Sequence, residues 1–298
     1  MADNLGIRFE YEEPHGVGFA DIARQWLDHG REVFCTDFVT SIERFGSPKI
    51  TEEPQERDPA WEAFGMIDLE NRTPQIDHSL VQYSRENWAW LQGSISESTW
   101  RTWLDFHWLH DQESRDGYSF FVKLHVQRVE SRPERPQAVL DAQRRCFFDA
   151  DAAQKLIAFM TEMAAKLPPK IGYSSAAAGD DFRNTNQHPP VDLDQFEDDP
   201  RILLCFDWLT YAGPQVIEAL GGHDAVRESG RFHEVRALPN AGAILVATPT
   251  AREYTERIEA SLGRYLKAVL PPRPYWWDTK ISNPRRRWYT NHPAKPAL

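Results

Sequence analysis

FDWLTYAGPQVIEALGGHDAV, residues 206–226, decides how the fold is read. An apolar approach through Phe206, Trp208 and Leu209 reaches Ala212-Gly213-Pro214. Val216, Ile217, Ala219 and Leu220 then fit one short helical face. A phosphate cradle between strand and helix needs several glycines, so that backbone N–H groups can surround the anion. Here Gly213 stands alone in the turn, and Pro214 has no N–H to give. Neither G-x-G-x-x-G nor G-x-x-x-x-G-K-[ST] is present. Pro214 suits the first helical position, where a missing donor costs nothing, and Gly221 can take the left-handed conformation that closes a helix. The stretch is therefore architecture, not a nucleotide site.

Working outward, RILLCFDWL (201–209) predicts a strand buried on both faces. Asp207 interrupts it, either as a buried carboxylate with a partner or as a strand-end residue facing solvent; the second is expected, since an unpaired buried charge is very costly. A weaker strand near 232–238 and the buried strand GAILVA follow. TAREYTERIEASLGRYLKAVL predicts a helix opened by a Thr250–Glu253 capping box, with Tyr254, Ile258, Leu262, Tyr265, Leu266 and Val269 as its core stripe. This β-α-β-β-α order points to helices laid on a mixed or antiparallel sheet.

Upstream, DADAAQKLIAFMTEMAAKLPP predicts a helix buried through Ala153, Leu156, Ile157, Met160, Met163, Ala164 and Leu167, with Asp149 or Asp151 as cap and Pro168-Pro169 as stop. IGYSSAAAG predicts a short strand. GIRFEYEE alternates as a strand, and Phe19, Ile22, Ala23, Trp26 and Leu27 form a helical face that Gly30 is expected to end. Residues 46–80 are polar and proline-bearing and read as mostly loop. Residues 84–110 suit a helix or a strand equally. YSFFVKLHVQRVE predicts a strand with Val122, Leu124 and Val126 on one face, and SRPERP a turn. Residues 180–200 look like a connection.

The segment 145–270 resembles the type VI secretion immunity family. The likeness rests on the Trp-Leu-Thr strand end, the Gly-Pro turn, the Leu-Gly-Gly helix end, the preceding AFMTEMAAKLPPKIGYSSAAAG and the following ALPNAGAILVATPT. The matching residues, Trp208, Leu209, Gly213, Pro214, Gly221 and Gly222, are scaffold positions. The resemblance implies a cytoplasmic antidote that binds and neutralises a cognate secreted antibacterial toxin by occluding its active site. It carries over no catalytic residue.

Composition bounds the alternatives. The chain has 298 residues, with 41% hydrophobic, 12% aromatic and eleven tryptophans, which suits a packed core. Net charge is −11, the wrong sign for a general nucleic-acid backbone binder and the right sign for a basic protein partner. Cys35, Cys146 and Cys205 form no C-x-x-C pair, which fits a reducing compartment. The start of the chain shows no signal pattern, and no apolar run reaches the length of a membrane span. A cytoplasmic setting without membrane contact is expected.

Three constellations carry candidate chemistry. His107, His110 and Asp111 in FHWLHD could share a metal if that segment is helical, giving a metal-dependent hydrolase as the competing reading. Partly buried packing is the plainer role for histidines beside tryptophans. VDLDQFEDD holds Asp192, Asp194, Phe196, Glu197, Asp198 and Asp199, either a solvated linker or a flexible acidic finger for a basic toxin. Tyr275, Trp276, Trp277 and Trp288 among Arg285, Arg286 and Arg287 could stack on single strands, but docking of the tail on the body suits the negative net charge better. The expectation is an α+β protein of two mixed sheet-and-helix halves, 1–190 and 191–298, packed as one compact unit. It needs no cofactor or metal and is not an enzyme.

Overall fold

The computed structural model describes residues 3–12, 17–47, 62–72, 76–108, 121–130, 132–143, 150–178, 199–204 and 206–271. The chain divides into two units. Glu10–Gln143 form the N-terminal unit; Met1–Phe9 with Arg144–Leu298 form the C-terminal unit. Both combine helices with antiparallel strand pairs, so the α+β expectation holds, with the sheets more prominent than expected.

The C-terminal unit begins with β1 (Asp3–Glu10), of which it holds all but the last residue, and continues through α4 (Ala150–Lys166), β7 (Ile171–Ala178), β8 (Leu209–Ala212), α5 (Pro214–Ala219), α6 (Gly222–Glu228), β9 (Glu234–Ala237), β10 (Ala243–Val246) and α7 (Glu256–Tyr265). Its strands lie in the order β1-β7-β8-β10-β9. The α4 stripe is buried as its spacing predicts. Within the opening stretch, Gly213 caps α5, Pro214 is its first residue, and Gly221 sits at φ 95° where the helix ends. A second short helix follows immediately, which the pattern had not announced.

Three expectations here are corrected. None of the described residues of 201–208 is in a strand: β8 starts only at Leu209. Leu203, Leu204 and Phe206 are buried as irregular chain, with the Leu203 N–H bonded to the Val269 carbonyl at 2.7 Å. Asp207 does not face solvent. It is 9% exposed, its Oδ1 accepts the Trp208 N–H at 2.6 Å, and its own N–H donates to Thr210 Oγ1 at 3.1 Å. A turn made by the aspartate itself supplies these partners, as Asp side chains do when they compete with regular structure. The capping-box residues meet, Thr250 Oγ1 to Glu253 Oε1 at 2.9 Å, but the helix starts later, with Thr255 at its N-cap. The hydroxyl is spent on a carboxylate and caps no backbone N–H.

The N-terminal unit runs α1 (Phe19–Phe34), α2 (Thr36–Phe45), β2 (Ala63–Arg72), β3 (Ile76–Gln82), α3 (Arg85–Ser94), β4 (Thr99–Trp108), β5 (Phe121–Val129) and β6 (Arg132–Gln143). The strand order is β3-β2-β4-β5-β6, antiparallel throughout. The loop expected over 46–80 therefore contains a hairpin over its second half. Ala63, Gly65, Ile67 and Leu69 alternate into the core while Asp68, Glu70 and Arg72 fall on the other face. The ambiguous 84–110 resolves into both options in turn, first α3 and then β4. The expected turn is replaced from Arg132 on by the start of β6, where Pro133 and Pro136 fall as the register jumps from Gln127↔Gln137 to Val129↔Arg132, an irregularity that asks no ladder donor of them.

Gly30 does not end α1. The helix runs on to Phe34, and a Cβ at position 30 would lie 2.7 Å from both Leu124 methyls. The glycine is there so that helix and β5 can approach closely. At the other end Gly18 offers no capping side chain, and Glu97 supplies one from a distant turn: its two oxygens accept the Phe19 and Ala20 N–H groups, each at 3.1 Å. Glu97→Ala is expected to cost about 1 kcal/mol, the usual worth of a cap carboxylate at a helix N-terminus. Urea denaturation would measure it, and Glu97→Gln should recover part of the loss. Cys35, between α1 and α2, is fully buried, which pushes its thiol far above the ordinary range, so it serves as a small apolar side chain.

The two units share one packing solution. In the N-terminal unit Gly65 on β2 lies between Tyr83 and Phe106 across the neighbouring strands. In the C-terminal unit Gly172 on β7 lies between Tyr211 and Phe9. A Cβ on either glycine would come within 2.6 Å of the phenylalanine ring and 2.9 Å of the tyrosine Cβ. In both, aromatic side chains cover a bare glycine in the middle of a sheet.

Candidate partner-binding surface

Helices α1 and α2 pack on one face of the N-terminal sheet, against Leu104, Phe106 and Leu124. Strand alternation sends the intervening side chains to the opposite face, where they are mostly half-buried. On β2 and β4 these are polar and aromatic by turns. Asp68 is the anchor, with only 3% of its side chain exposed. His78 Nε2 lies 2.7 Å from its Oδ1 and Arg101 Nη2 3.3 Å from its Oδ2. Arg101 also reaches Glu70 at 3.2 Å, Glu70 holds Arg72 at 2.9 Å, and the Arg72 guanidinium stacks 4.1 Å above Trp100. Toward the other end, His107 stacks on Phe64 at 4.8 Å and pairs with Asp105 at 2.8 Å, and Lys123 lies over Trp103 at 4.7 Å. This is a charged, aromatic face with its groups held in fixed positions by their cross-strand neighbours.

Arg101→Leu is expected to destabilise the unit by roughly 1–3 kcal/mol, because it removes the guanidinium beside a buried carboxylate and leaves only the His78 imidazole against it. Denaturant titration at neutral pH checks the size; a change within error would show that His78 alone satisfies Asp68.

At the outer edge of the same sheet, β3 is largely exposed. Ile76 is 70% exposed and Leu80 48%; Trp90 on α3 and Phe45 on α2 are 38% and 37%. These are the exposed large apolar side chains among the described residues, and all four belong to the N-terminal unit. A cleft of about 430 Å³ lies between the end of α2 and the β3–α3 turn, lined by Ile42, Glu43, Tyr83, Ser84, Arg85 and Asn87 among others. Arg85 grips Glu43 with two hydrogen bonds on its rim, and Ser84 caps α3 through the Asn87 N–H. Burial raises the Tyr83 hydroxyl above its usual range, and Arg31 donates to it at 3.3 Å.

The residues singled out in the sequence fare differently. Of the acidic run, Asp192, Asp194, Phe196, Glu197 and Asp198 lie outside the described residues. Asp199 is described and is engaged by its own neighbour: Arg201 donates its backbone N–H at 3.0 Å and its guanidinium at 2.9 and 2.8 Å. Those bonds hold the Asp199 carboxyl down at about 2. His107 is on β4, so the helical premise of the His107–His110 pair does not hold at His107. His110 and Asp111 lie outside the described residues, as does the tail from 275 to 288. Among the described residues no group of three or more His, Cys, Asp and Glu is placed to hold a metal ion, and no helix is long and apolar enough to cross a membrane. The Asp68–Arg101 ladder was not foreseen; its signal was the alternation of Asp68, Glu70 and Arg72 with apolar residues, masked by the polar composition around it.

No family model and no curated protein matches the chain. Among solved structures it is similar to the Pseudomonas aeruginosa T6SS protein PA0821, at 14% identity and TM-score 0.47, over 90% of this chain and 73% of that one. It is also similar, at 10% identity and TM-score 0.24 over 59% of this chain and 87% of that one, to a chain from the structure of the toxic C-terminal tip of CdiA from Pseudomonas aeruginosa in complex with immune protein. Both likenesses are distant.

Proposed function

We propose that this protein acts by binding: a stoichiometric immunity protein that masks the active site of a cognate, basic antibacterial toxin in the cytoplasm. The single observation that supports it most is the exposure of Ile76 and Leu80 on the edge strand β3, in the same sheet as a pre-ordered charged and aromatic face. Such patches mark interaction surfaces, and rigid aromatics with arginine supply binding hot spots. The net charge of −11 would steer a basic partner, and the acidic residues 192–199 would add to that field.

The test is titration of the purified protein with the toxin encoded beside it. Binding is expected at one-to-one stoichiometry with loss of toxin activity. The affinity should fall as salt shortens the Debye length from about 30 Å to about 8 Å. A salt-independent constant would remove the electrostatic part, and no binding to that toxin would remove the proposal.

A further inference from the structure

We propose that β3 is a self-complementary edge and that two copies of the chain pair through it, antiparallel, about a two-fold axis at His78. The backbone shows which groups are available. The Tyr83 N–H donates to the Gly65 carbonyl at 2.7 Å, so in the antiparallel alternation Val81, Ser79 and Asp77 turn their backbone groups toward β2. Those of Ile76, His78 and Leu80 turn away. Gln82, next in the outward series, has its carbonyl taken by Asn87 Nδ2 at 2.7 Å, in keeping with that direction. β3 stands at the end of the strand order, and no strand among the described residues pairs with its outer side.

The side chains select the partner and the register. Ile76 and Leu80 lie on the same face, spaced equally on either side of His78, and are the two most exposed large apolar residues of the described chain. A two-fold axis at His78 sets Ile76 across from the partner's Leu80 and Leu80 across from the partner's Ile76. Asp77 then faces the partner's Ser79, so no two like-charged carboxylates meet. Moving the axis to Ser79 would oppose Ile76 to the partner's Gln82 and Leu80 to the partner's His78, apolar against polar. Cross-strand pairing energy favours the first arrangement. His78 is already held against Asp68 at 2.7 Å, so the residue on the axis is positioned before the copies meet. Pairing in this way would place two open sheet faces side by side, doubling the surface described above. It does not depend on the identity of any toxin.

The alternative is that Asp77 and His78 are gatekeepers that keep a short edge solitary, as charged residues do on many edge strands. Sedimentation of the full chain over a concentration series decides between them. The expected result is a shift of mean mass from one chain to two, abolished in the Ile76→Lys/Leu80→Lys variant, whose substituted side chains are exposed and whose far-UV circular dichroism should be unchanged. Leu80→Pro provides a second variant, since it removes an outward N–H and none bonded to β2. Register is read by cysteines under mild oxidation, against the unaltered chain as control. His78→Cys should give a disulfide-linked dimer and Ser79→Cys should not, because directly paired Cα atoms about 5.5 Å apart fall within disulfide reach. One-chain mass at every concentration, a dimer indifferent to both variants, or linkage through position 79 and not 78 would overturn the proposal.

Discussion

Trp26→Ala is expected to cost about 3–5 kcal/mol, the largest loss of any single substitution in the N-terminal unit. Trp26 is fully buried on α1, among side chains from a helix that packs on β4, β5 and β6. Its indole N–H donates to the Val139 carbonyl at 3.2 Å, which ties helix to sheet at one polar point. Alanine removes the apolar volume, opens a cavity that the close helix–sheet approach at Gly30 prevents from collapsing, and leaves a buried carbonyl short of a donor. Against a total stability of about 5–15 kcal/mol, the unit would melt on the order of 10 °C earlier. Far-UV circular dichroism during denaturation measures this. A loss under about 1 kcal/mol would show that α1 does not hold the sheet.

Gly65→Ala and Gly172→Ala form the second prediction, and it is a paired one. In each case a methyl group would sit 2.6 Å from a phenylalanine ring and 2.9 Å from a tyrosine Cβ. Both phenylalanines are fully buried, and the tyrosine Cβ is fixed to the backbone, so relief requires the backbone to shift. Overpacking of this kind costs about 1–3 kcal/mol. The two losses should be similar, because the two environments agree in every contact distance that matters. Phe106→Leu combined with Gly65→Ala should recover part of the loss in the N-terminal unit, since it removes the closest atoms. A methyl tolerated at Gly172 but not at Gly65 would mean that the matching geometry does not carry matching strain.

Short-range patterns explain which elements were legible. The α4 stripe repeats at helical spacing between clear stops, and β5 alternates without interruption, so each segment determined its own form. The hairpin of β2 and β3 was obscured because its outward face is rich in charge: Asp68, Glu70 and Arg72 look like loop composition until Arg101 and His78 are set beside them. The apolar run 201–208 suggested the opposite error. Burial alone does not make a strand, and there the backbone bonds go to Val269 and to an aspartate turn. The candidate surface was illegible for the same reason as the hairpin. Its residues come from separate strands, whereas residues 192–199 and FHWLHD stand out in the sequence by local density of charge or histidine.

By itself the sequence determined the helix and strand preferences of isolated segments, the turn at Gly213-Pro214 and Gly221, the absence of a phosphate loop in that turn, and the acidic balance. These depend on periodicity, on backbone freedom and on counting charges, all of which are local or additive. Only the tertiary structure decided that Gly30, Gly65 and Gly172 are points of close approach, that Asp207 is buried and satisfied, and that Asp68 gathers His78 and Arg101 on one sheet face. Each of those is a relation between residues far apart in the chain, set by strand register, and register is fixed by the packing of the whole sheet.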